Sequence, residues 1–261
     1  MNRLTILIRR IAYLSFGYIN NLFLPKSPKI FVLCYHAISG DNWFFSVSFE
    51  EFKKQINYLL KEFSFITLLD LYEYLKSKKV VHKSSVILCF DDGYQSIYRT
   101  RDLLKKFNIK PTIFLISDIK NIDREQLGSN KSFLSKRQIL DLLADGWEIG
   151  CHSATHTNLL KLNPKNLDKE VIESKLTLEK KLGVKVEYFA YPNGNHNKQI
   201  RDAVSRAKYK LALSMDDGFI SKSTDKLAVP RIGINGSHSF AEFKTIFSPL
   251  NIMFRKFIKS F

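Results

Sequence analysis

The chain has 261 residues, 45% of them hydrophobic, enough for one sizeable α/β core. Its 41 Lys and Arg against 25 Asp and Glu give a net charge of +16. That charge favours an acidic partner, but it is spread along the whole chain with no recognition motif beside it, which argues against nucleic-acid binding. Three cysteines, Cys34, Cys89 and Cys151, are an odd number without regular spacing; this argues against a disulfide framework and fits small buried side chains in a reducing compartment.

The first segment, residues 1–28, carries Arg3, Arg9 and Arg10 ahead of a mostly apolar run over 11–24. Asn20 and Asn21 interrupt that run and no small-residue cleavage site follows. It is too short and too polar to span a bilayer, and a basic amphipathic helix lying on a membrane surface fits better. Residues 248–261 repeat the pattern, with Met253, Phe254, Phe257, Ile258 and Phe261 set among Arg255, Lys256 and Lys259. For both ends, peripheral contact with an anionic membrane and packing on the domain are equal expectations.

Beyond Pro25 and Pro28, residues 30–35 read as a fully buried strand. Ser48, with Glu51 three residues on, opens a helix that places Phe52, Ile56, Leu59 and Leu60 on one face. A short strand over 65–68, a helix over 69–75, a strand over 86–90 and a helix over 97–107 follow. Pro111 opens a strand over 112–116. Residues 117–133 are polar and aperiodic, long for a βα loop, and such loops are often functional. Ser135 caps a helix to Leu143, and 147–151 is the next strand. Asn163-Pro164 opens a helix carrying Leu167, Val171, Leu178 and Leu182, which Gly183 stops. Strands over 186–191, 210–213 and 227–229 and helices over 198–208 and 239–247 complete the pattern. The alternation, repeated about seven times, predicts one α/β domain over 29–247 with a parallel sheet or barrel.

Polar islands follow four of these strands: Tyr35-His36, Phe90-Asp91-Asp92-Gly93, His152-Ser153-Ala154-Thr155-His156 and Tyr191-Pro192-Asn193-Gly194. In a barrel those strand ends share one face, where active sites are built. Adjacent carboxylates after an apolar strand are poor core design, because they repel and burial penalises them. A helix N-cap explains one of them but not both. The spacing of His152 and His156 lets both imidazoles reach one metal if the segment begins a helical turn. Two neutral His and one carboxylate form an open three-ligand site with room for water and substrate. A metal there lowers the pKa of water to roughly 7, and a second, unligated carboxylate can take the remaining proton.

With these motifs on one chain, the sequence resembles the NodB-homology polysaccharide deacetylases, carbohydrate esterase family 4. Phe90-Asp91-Asp92-Gly93 is similar to that family's first motif, His152-Ser153-Ala154-Thr155-His156 to its second, and Phe189-Ala190-Tyr191-Pro192-Asn193-Gly194 to its third. The resemblance covers about residues 29–235 and implies an α/β fold of the distorted (β/α)7-barrel type. It implies Asp91 as general base, Asp92, His152 and His156 as metal ligands, and the Tyr191 backbone N–H as an oxyanion donor. The implied cofactor is one divalent ion, zinc first, with cobalt, nickel or iron as alternatives.

The sequence departs from the family pattern at three places. Ala190 stands where the third motif has arginine, no fourth-motif tryptophan is visible in 213–219, and Val229-Pro230-Arg231-Ile232 occupies the place of the fifth-motif histidine. His36 is the candidate general acid, as in members with an early Tyr-His motif acting on poly-N-acetylglucosamine; His238 is the runner-up. Arg231 is the candidate replacement for the missing arginine, pairing with Asp91 and keeping it ionised. The expected function is metal-dependent hydrolysis of N-acetyl groups on amino sugars of a glycan, with a monomeric enzyme, cytoplasmic or peripheral at the inner membrane. Two rivals remain: deacetylation or deformylation of a lipid-linked sugar precursor at the membrane, and a catalytically silent glycan-binding module.

Overall fold

The structure is a computed structural model that describes residues 8–17 and 28–259. Helix α1 (residues 8–17) is followed by β1 (Ile30–Tyr35), the short strands β2 (Ala37–Ile38) and β3 (Ser46–Val47), α2 (Phe49–Glu62), β4 (Ser64–Phe65), α3 (Leu68–Leu75) and β5 (Ser85–Phe90). A 3-10 segment, Gln95–Thr100, runs into α4 (Arg101–Lys106), then β6 (Thr112–Leu115), α5 (Arg124–Leu127), α6 (Lys136–Ala144) and β7 (Glu148–Cys151). Helix α7 (Pro164–Asp168) continues through a π turn (Lys169–Glu173) into α8 (Ser174–Leu182). Strand β8 (Tyr188–Ala190), α9 (Lys198–Arg206), β9 (Leu211–Leu213), β10 (Ile232–Gly233), α10 (Phe240–Thr245) and α11 (Pro249–Lys259) complete the chain.

The main sheet is parallel in the order β10-β1-β5-β6-β7-β8-β9, with β4 added beside the start of β5. Its two edges are tied by one stretch of chain. Val229 N donates to Ala212 O and Ser214 N to Val229 O beside β9, and a short way on Ile232 pairs with Leu33 of β1. The sheet therefore closes into a distorted barrel of seven strands, the architecture expected. Residues 227–229, expected as a strand, make only a single bridge, because the chain crosses from one edge to the other there. The helix expected over 97–107 begins as a 3-10 segment, in which Thr100 Oγ1 donates to Ile97 O.

Alternation along the strands makes two cores. Val32, Ile87, Cys89, Phe114 and Leu211 point into the barrel, while Leu33, Leu88, Ile113, Phe189 and Ala212 face the surrounding helices. Each fully buried Val, Leu or Ile stabilises by about 1.5–3 kcal/mol. Leu68 and Leu71 of α3 join the inner cluster. The Glu148 carboxylate, at the start of β7, accepts from Leu68 N (3.0 Å), Leu69 N (3.2 Å) and Thr112 Oγ1 (2.8 Å). A carboxylate at the α3 N-terminus is favourable, and it fixes α3 as a plug at the N-terminal end of the barrel. The opposite end, where the polar islands lie, is left open.

The described parts of both basic ends, residues 8–17 and 248–259, dock on the domain. Tyr13 of α1 is buried, its ring edge against Phe254 of α11, and Asn251 Nδ2 donates to Tyr13 O. Arg255 Nε donates to Asp217 Oδ1 (2.6 Å) and its Nη1 to Tyr13 Oη (3.0 Å). His238 belongs to this network, with Nε2 3.3 Å from Arg255 Nη1. Burial, then Arg255 and Arg9, push its pKa down to about 3. The general-acid alternative for His238 is thereby corrected: its imidazole packs against Arg255 and Tyr13, away from the Asp pair. Residues 18–24 of the apolar run, and Phe261, lie outside the described residues. No helix among the described residues is long and apolar enough to cross a membrane.

Candidate active site

The Asp pair is shaped by a turn in the left-handed region. Asp91 N still follows the ladder, donating to Tyr35 O, but Asp92 and Gly93 have φ of 68° and 76°. A non-glycine residue there costs on the order of 1–3 kcal/mol, strain that collects at functional sites. Gly93 is required twice over, since a Cβ on it would stand 2.6 Å from Leu115 Cδ2. Both carboxylates are buried as a result.

The His pair is delivered by a loop, which corrects the expected helical turn. Ser153 and His156 have φ of 66° and 61°, and Ser153 Oγ accepts from His156 N (2.9 Å). The loop is held from behind by Glu170, in the π turn. Its carboxylate accepts from Ala154 N (2.9 Å), Thr155 N (2.9 Å) and Thr155 Oγ1 (2.8 Å). Sequence reading missed Glu170; an acid on the buried side of a helical run was the only signal. Because outer groups of this kind orient ligands, Glu170→Ala is expected to weaken metal affinity about 10–100-fold. A metal titration of that variant, with Asp92, His152 and His156 intact, measures it.

Asp92, His152 and His156 present ligand atoms that all lie within 4.8 Å of one another. Asp92 Oδ1 is 3.5 Å from each Nε2. Ala190 O lies 2.8 Å from His152 Nδ1, which assigns the proton to Nδ1 and turns the Nε2 lone pair toward Asp92. Burial lowers the His152 pKa to about 3 and lowers that of His156, so both rings are neutral. Burial, with Asp91 close by, raises Asp92 to about 6. Asp92 Oδ1 is buried without a hydrogen-bond partner among the described residues. An orphaned carboxylate oxygen facing two neutral imidazoles is costly alone and suits a divalent cation. The residues present therefore fit a metal ion.

Asp91 is held differently. Arg231, fully buried, donates through Nη1 to Asp91 Oδ1 (2.7 Å) and through Nε to Ser214 O (3.1 Å). Burial alone would raise the Asp91 pKa, but Arg231, then His152 and His36, hold it well below the ordinary carboxylate range. The two adjacent acids are thus driven apart by their partners. Asp91 Oδ2 faces His152 Nε2 at 3.7 Å and accepts from Cys34 Sγ at 3.2 Å. That contact gives Cys34 a place beside the site, where its sequence alone suggests an inert core thiol; its spacing of two from His36 was the available signal. Cys34, His36 and Asp91 form a second group with polar atoms within 4.8 Å of one another. His36 lines the open cleft, its ring 4.8 Å from that of Phe45.

Tyr191 requires a correction. Its backbone N–H donates to Leu213 O (3.0 Å) as part of the β8–β9 ladder and is not available to an oxyanion. Its hydroxyl donates to Leu227 O (2.8 Å). Residue 192 is proline, so the next N–H along the chain is that of Asn193, which lines the cleft at φ 57°. The cleft has a volume of about 390 Å³, and Trp43 and Phe45 add aromatic surface beside His36 to its lining.

Comparison with known proteins gives a consistent result. The family model described as polysaccharide deacetylase matches residues 78–212. The poly-β-1,6-N-acetyl-D-glucosamine N-deacetylase of Staphylococcus aureus is 28% identical over 202 residues, covering 73% of this chain and 68% of that protein. Among solved structures, the Streptococcus pyogenes deacetylase PplD in complex with acetate is 25% identical at a TM-score of 0.69, covering 87% of this chain and 98% of that one. IcaB from Ammonifex degensii shares the fold, with 22% identity, a TM-score of 0.75 and the same coverage of 87% and 98%.

Proposed function

The chain belongs to the polysaccharide deacetylase family, and on that premise we propose that it removes N-acetyl groups from a poly-N-acetylglucosamine type of glycan, releasing acetate. The observation that carries this reading is the orphaned Asp92 Oδ1 between two neutral imidazoles, beside an ionised Asp91. Asp92, His152 and His156 hold a divalent ion, zinc by preference, since imidazole and carboxylate suit it.

When bound, that ion polarises the acyl oxygen and acidifies nearby water. Asp91 Oδ2, the oxygen not engaged by Arg231, takes the proton of the attacking water. Arg231 keeps Asp91 charged between turnovers. Asn193, which lines the cleft and follows the proline after Tyr191, is assigned as the donor to the developing oxyanion through its N–H, a type of contact worth about 3 kcal/mol. His36 gives a proton to the leaving nitrogen as the carbon–nitrogen bond breaks, so that acetate and a free amino sugar result. Trp43 and Phe45 orient the sugar.

Mass spectrometry of products from β-1,6- and β-1,4-linked N-acetylglucosamine oligomers tests the substrate class. The reading expects acetyl loss from nitrogen with the β-1,6 oligomer preferred. No acetyl loss from either oligomer, or loss from the β-1,4 oligomer alone, contradicts it.

One observation favours a membrane setting, and with it a lipid-linked substrate. Helices α1 and α11 leave Ile8, Ile11, Leu14, Met253, Phe257 and Ile258 exposed, with Arg10 and Lys256 also exposed. An apolar and basic face of this kind suits anionic lipid. Co-sedimentation with phosphatidylglycerol vesicles that is unchanged by Met253→Ser with Phe257→Ser removes this setting.

A further inference from the structure

Cys34 and His36 stand two residues apart at the end of β1, so alternation places both on one face. Strands β1 and β5 pair in register, with Cys34 beside Cys89 and Tyr35 beside Phe90, and Asp91 follows directly. Asp91 N donates to Tyr35 O (2.9 Å), which holds the two strand ends together. Cys34, His36 and Asp91 therefore each offer one ligand atom to a common space, and these atoms lie within 4.8 Å of one another. None of the three belongs to the group formed by Asp92, His152 and His156.

Thiolate, imidazole and carboxylate are the donor types that zinc takes, with bonds of about 2.3 Å to sulfur and about 2.0–2.2 Å to nitrogen and oxygen. Cys34 Sγ and Asp91 Oδ2 are 3.2 Å apart. Two such bonds end to end exceed that gap, so a single ion can bind both atoms. The hydrogen bond between them is no obstacle, because the S–H proton is released to water as the sulfur binds the ion. His36 Nδ1 is buried and has no hydrogen-bond partner among the described residues, a costly arrangement without a ligand. His36 and Asp91 line the cleft, while Cys34 is fully buried behind that lining. An ion thus enters from the cleft and meets the sulfur at the rear. Neither Cys89 nor Cys151 belongs to a group of this kind among the described residues.

Two features set this site below the first in affinity. Arg231 already neutralises Asp91, with Nη1 at 2.7 Å from Oδ1. Asp91 Oδ2 is also 3.7 Å from His152 Nε2, so an ion in the first site repels one in the second. The thiolate of Cys34 supplies negative charge against both effects. As a soft ligand it favours zinc and its neighbours over magnesium or calcium.

We propose that Cys34, His36 and Asp91 form a second, weaker site for a thiophilic divalent ion, and that filling it shuts the enzyme off. The loss of activity rests on the deacetylase reading above, because the ion occupies the base Asp91 and the proton donor His36 together; the binding itself does not. Acetate release accordingly reaches its plateau at one ion per chain and falls about 10²-fold when zinc is in excess.

Cobalt reports the site directly, since thiolate ligation gives a near-ultraviolet charge-transfer band that imidazole and carboxylate ligation lacks. The full chain is stripped with chelator and titrated with cobalt, and in parallel with zinc while acetate release is followed. Two ions per chain are expected, with the band growing only with the second. Cys34→Ser is expected to lose the band and the second ion, and to keep its own one-ion rate in excess zinc. Cys89→Ser is expected to keep the band. His36→Ala, altered at the cleft rather than in the core, is expected to bind one ion only. A wild type without the band, a band that persists in Cys34→Ser, or a second ion retained in His36→Ala overturns the site. Excess zinc that leaves wild-type release unchanged, or lowers it equally in Cys34→Ser, overturns the inhibition. A second ion with its band, in a protein that releases no acetate at any zinc level, upholds the site and removes the deacetylase reading instead.

Discussion

Asp91→Asn is expected to lower kcat about 10³-fold, the middle of the range for loss of a general base, while the metal content stays at the wild-type level. The substitution is nearly isosteric. The carboxamide oxygen of the new side chain can still accept from Arg231 Nη1, which stands 2.7 Å from Asp91 Oδ1 in the wild type, so the guanidinium keeps a partner. What disappears is the lone pair of Oδ2, which faces His152 Nε2 and the open cleft. The three ligand residues are untouched, so metal analysis and kcat are expected to separate. A kcat within about tenfold of wild type would remove Asp91 from its role.

Arg231→Met is expected to act on both stability and pH dependence. The guanidinium is fully buried and its partner carboxylate almost so. Removing one member of such a pair leaves an uncompensated buried charge, at a cost of about 3–5 kcal/mol, readable as a lowered urea midpoint. Arg231 is also the largest influence opposing burial at Asp91. Without it, burial prevails and the carboxyl pKa rises, so the acid limb of the pH–rate profile moves to higher pH. The sign for stability follows from the same pair. Asp91 has a depressed pKa in the folded state, so its contribution is present above about pH 4 and is lost as pH falls below that. Arg231→Lys keeps the charge but cannot reach Asp91 Oδ1 and Ser214 O together, and an intermediate shift is expected. An acid limb that does not move in Arg231→Met contradicts the pairing role.

The residues at strand ends were legible because their chemistry conflicts with their surroundings. Two acids after Val86–Phe90, or two imidazoles after a buried strand, have no use in a core. Arg231 was legible through the family resemblance instead, as the cation at the place of the fifth motif in a chain whose third motif has Ala190 for arginine. What was not legible depends on registry and backbone conformation. The left-handed residues Asp92, Ser153 and His156 carry no propensity signal, so the His pair looked like a helical turn. Which N–H stays free near Tyr191 depends on the pairing of β8 with β9, and that pairing assigns the Tyr191 N–H to Leu213 O. Glu170 and Cys34 act through contacts between segments far apart in sequence. The ends of the chain were ambiguous because one helix face can meet protein or lipid; Tyr13 and Arg255 show the protein contact.

The most direct test of the central claim is acetate release from a β-1,6-linked N-acetylglucosamine oligomer by protein stripped with chelator and then titrated with zinc. The account predicts no release without metal, a rise to a plateau at one ion per chain, and no recovery at any zinc concentration for His152→Ala. Undiminished acetate release by the stripped protein, or by His152→Ala, would contradict it.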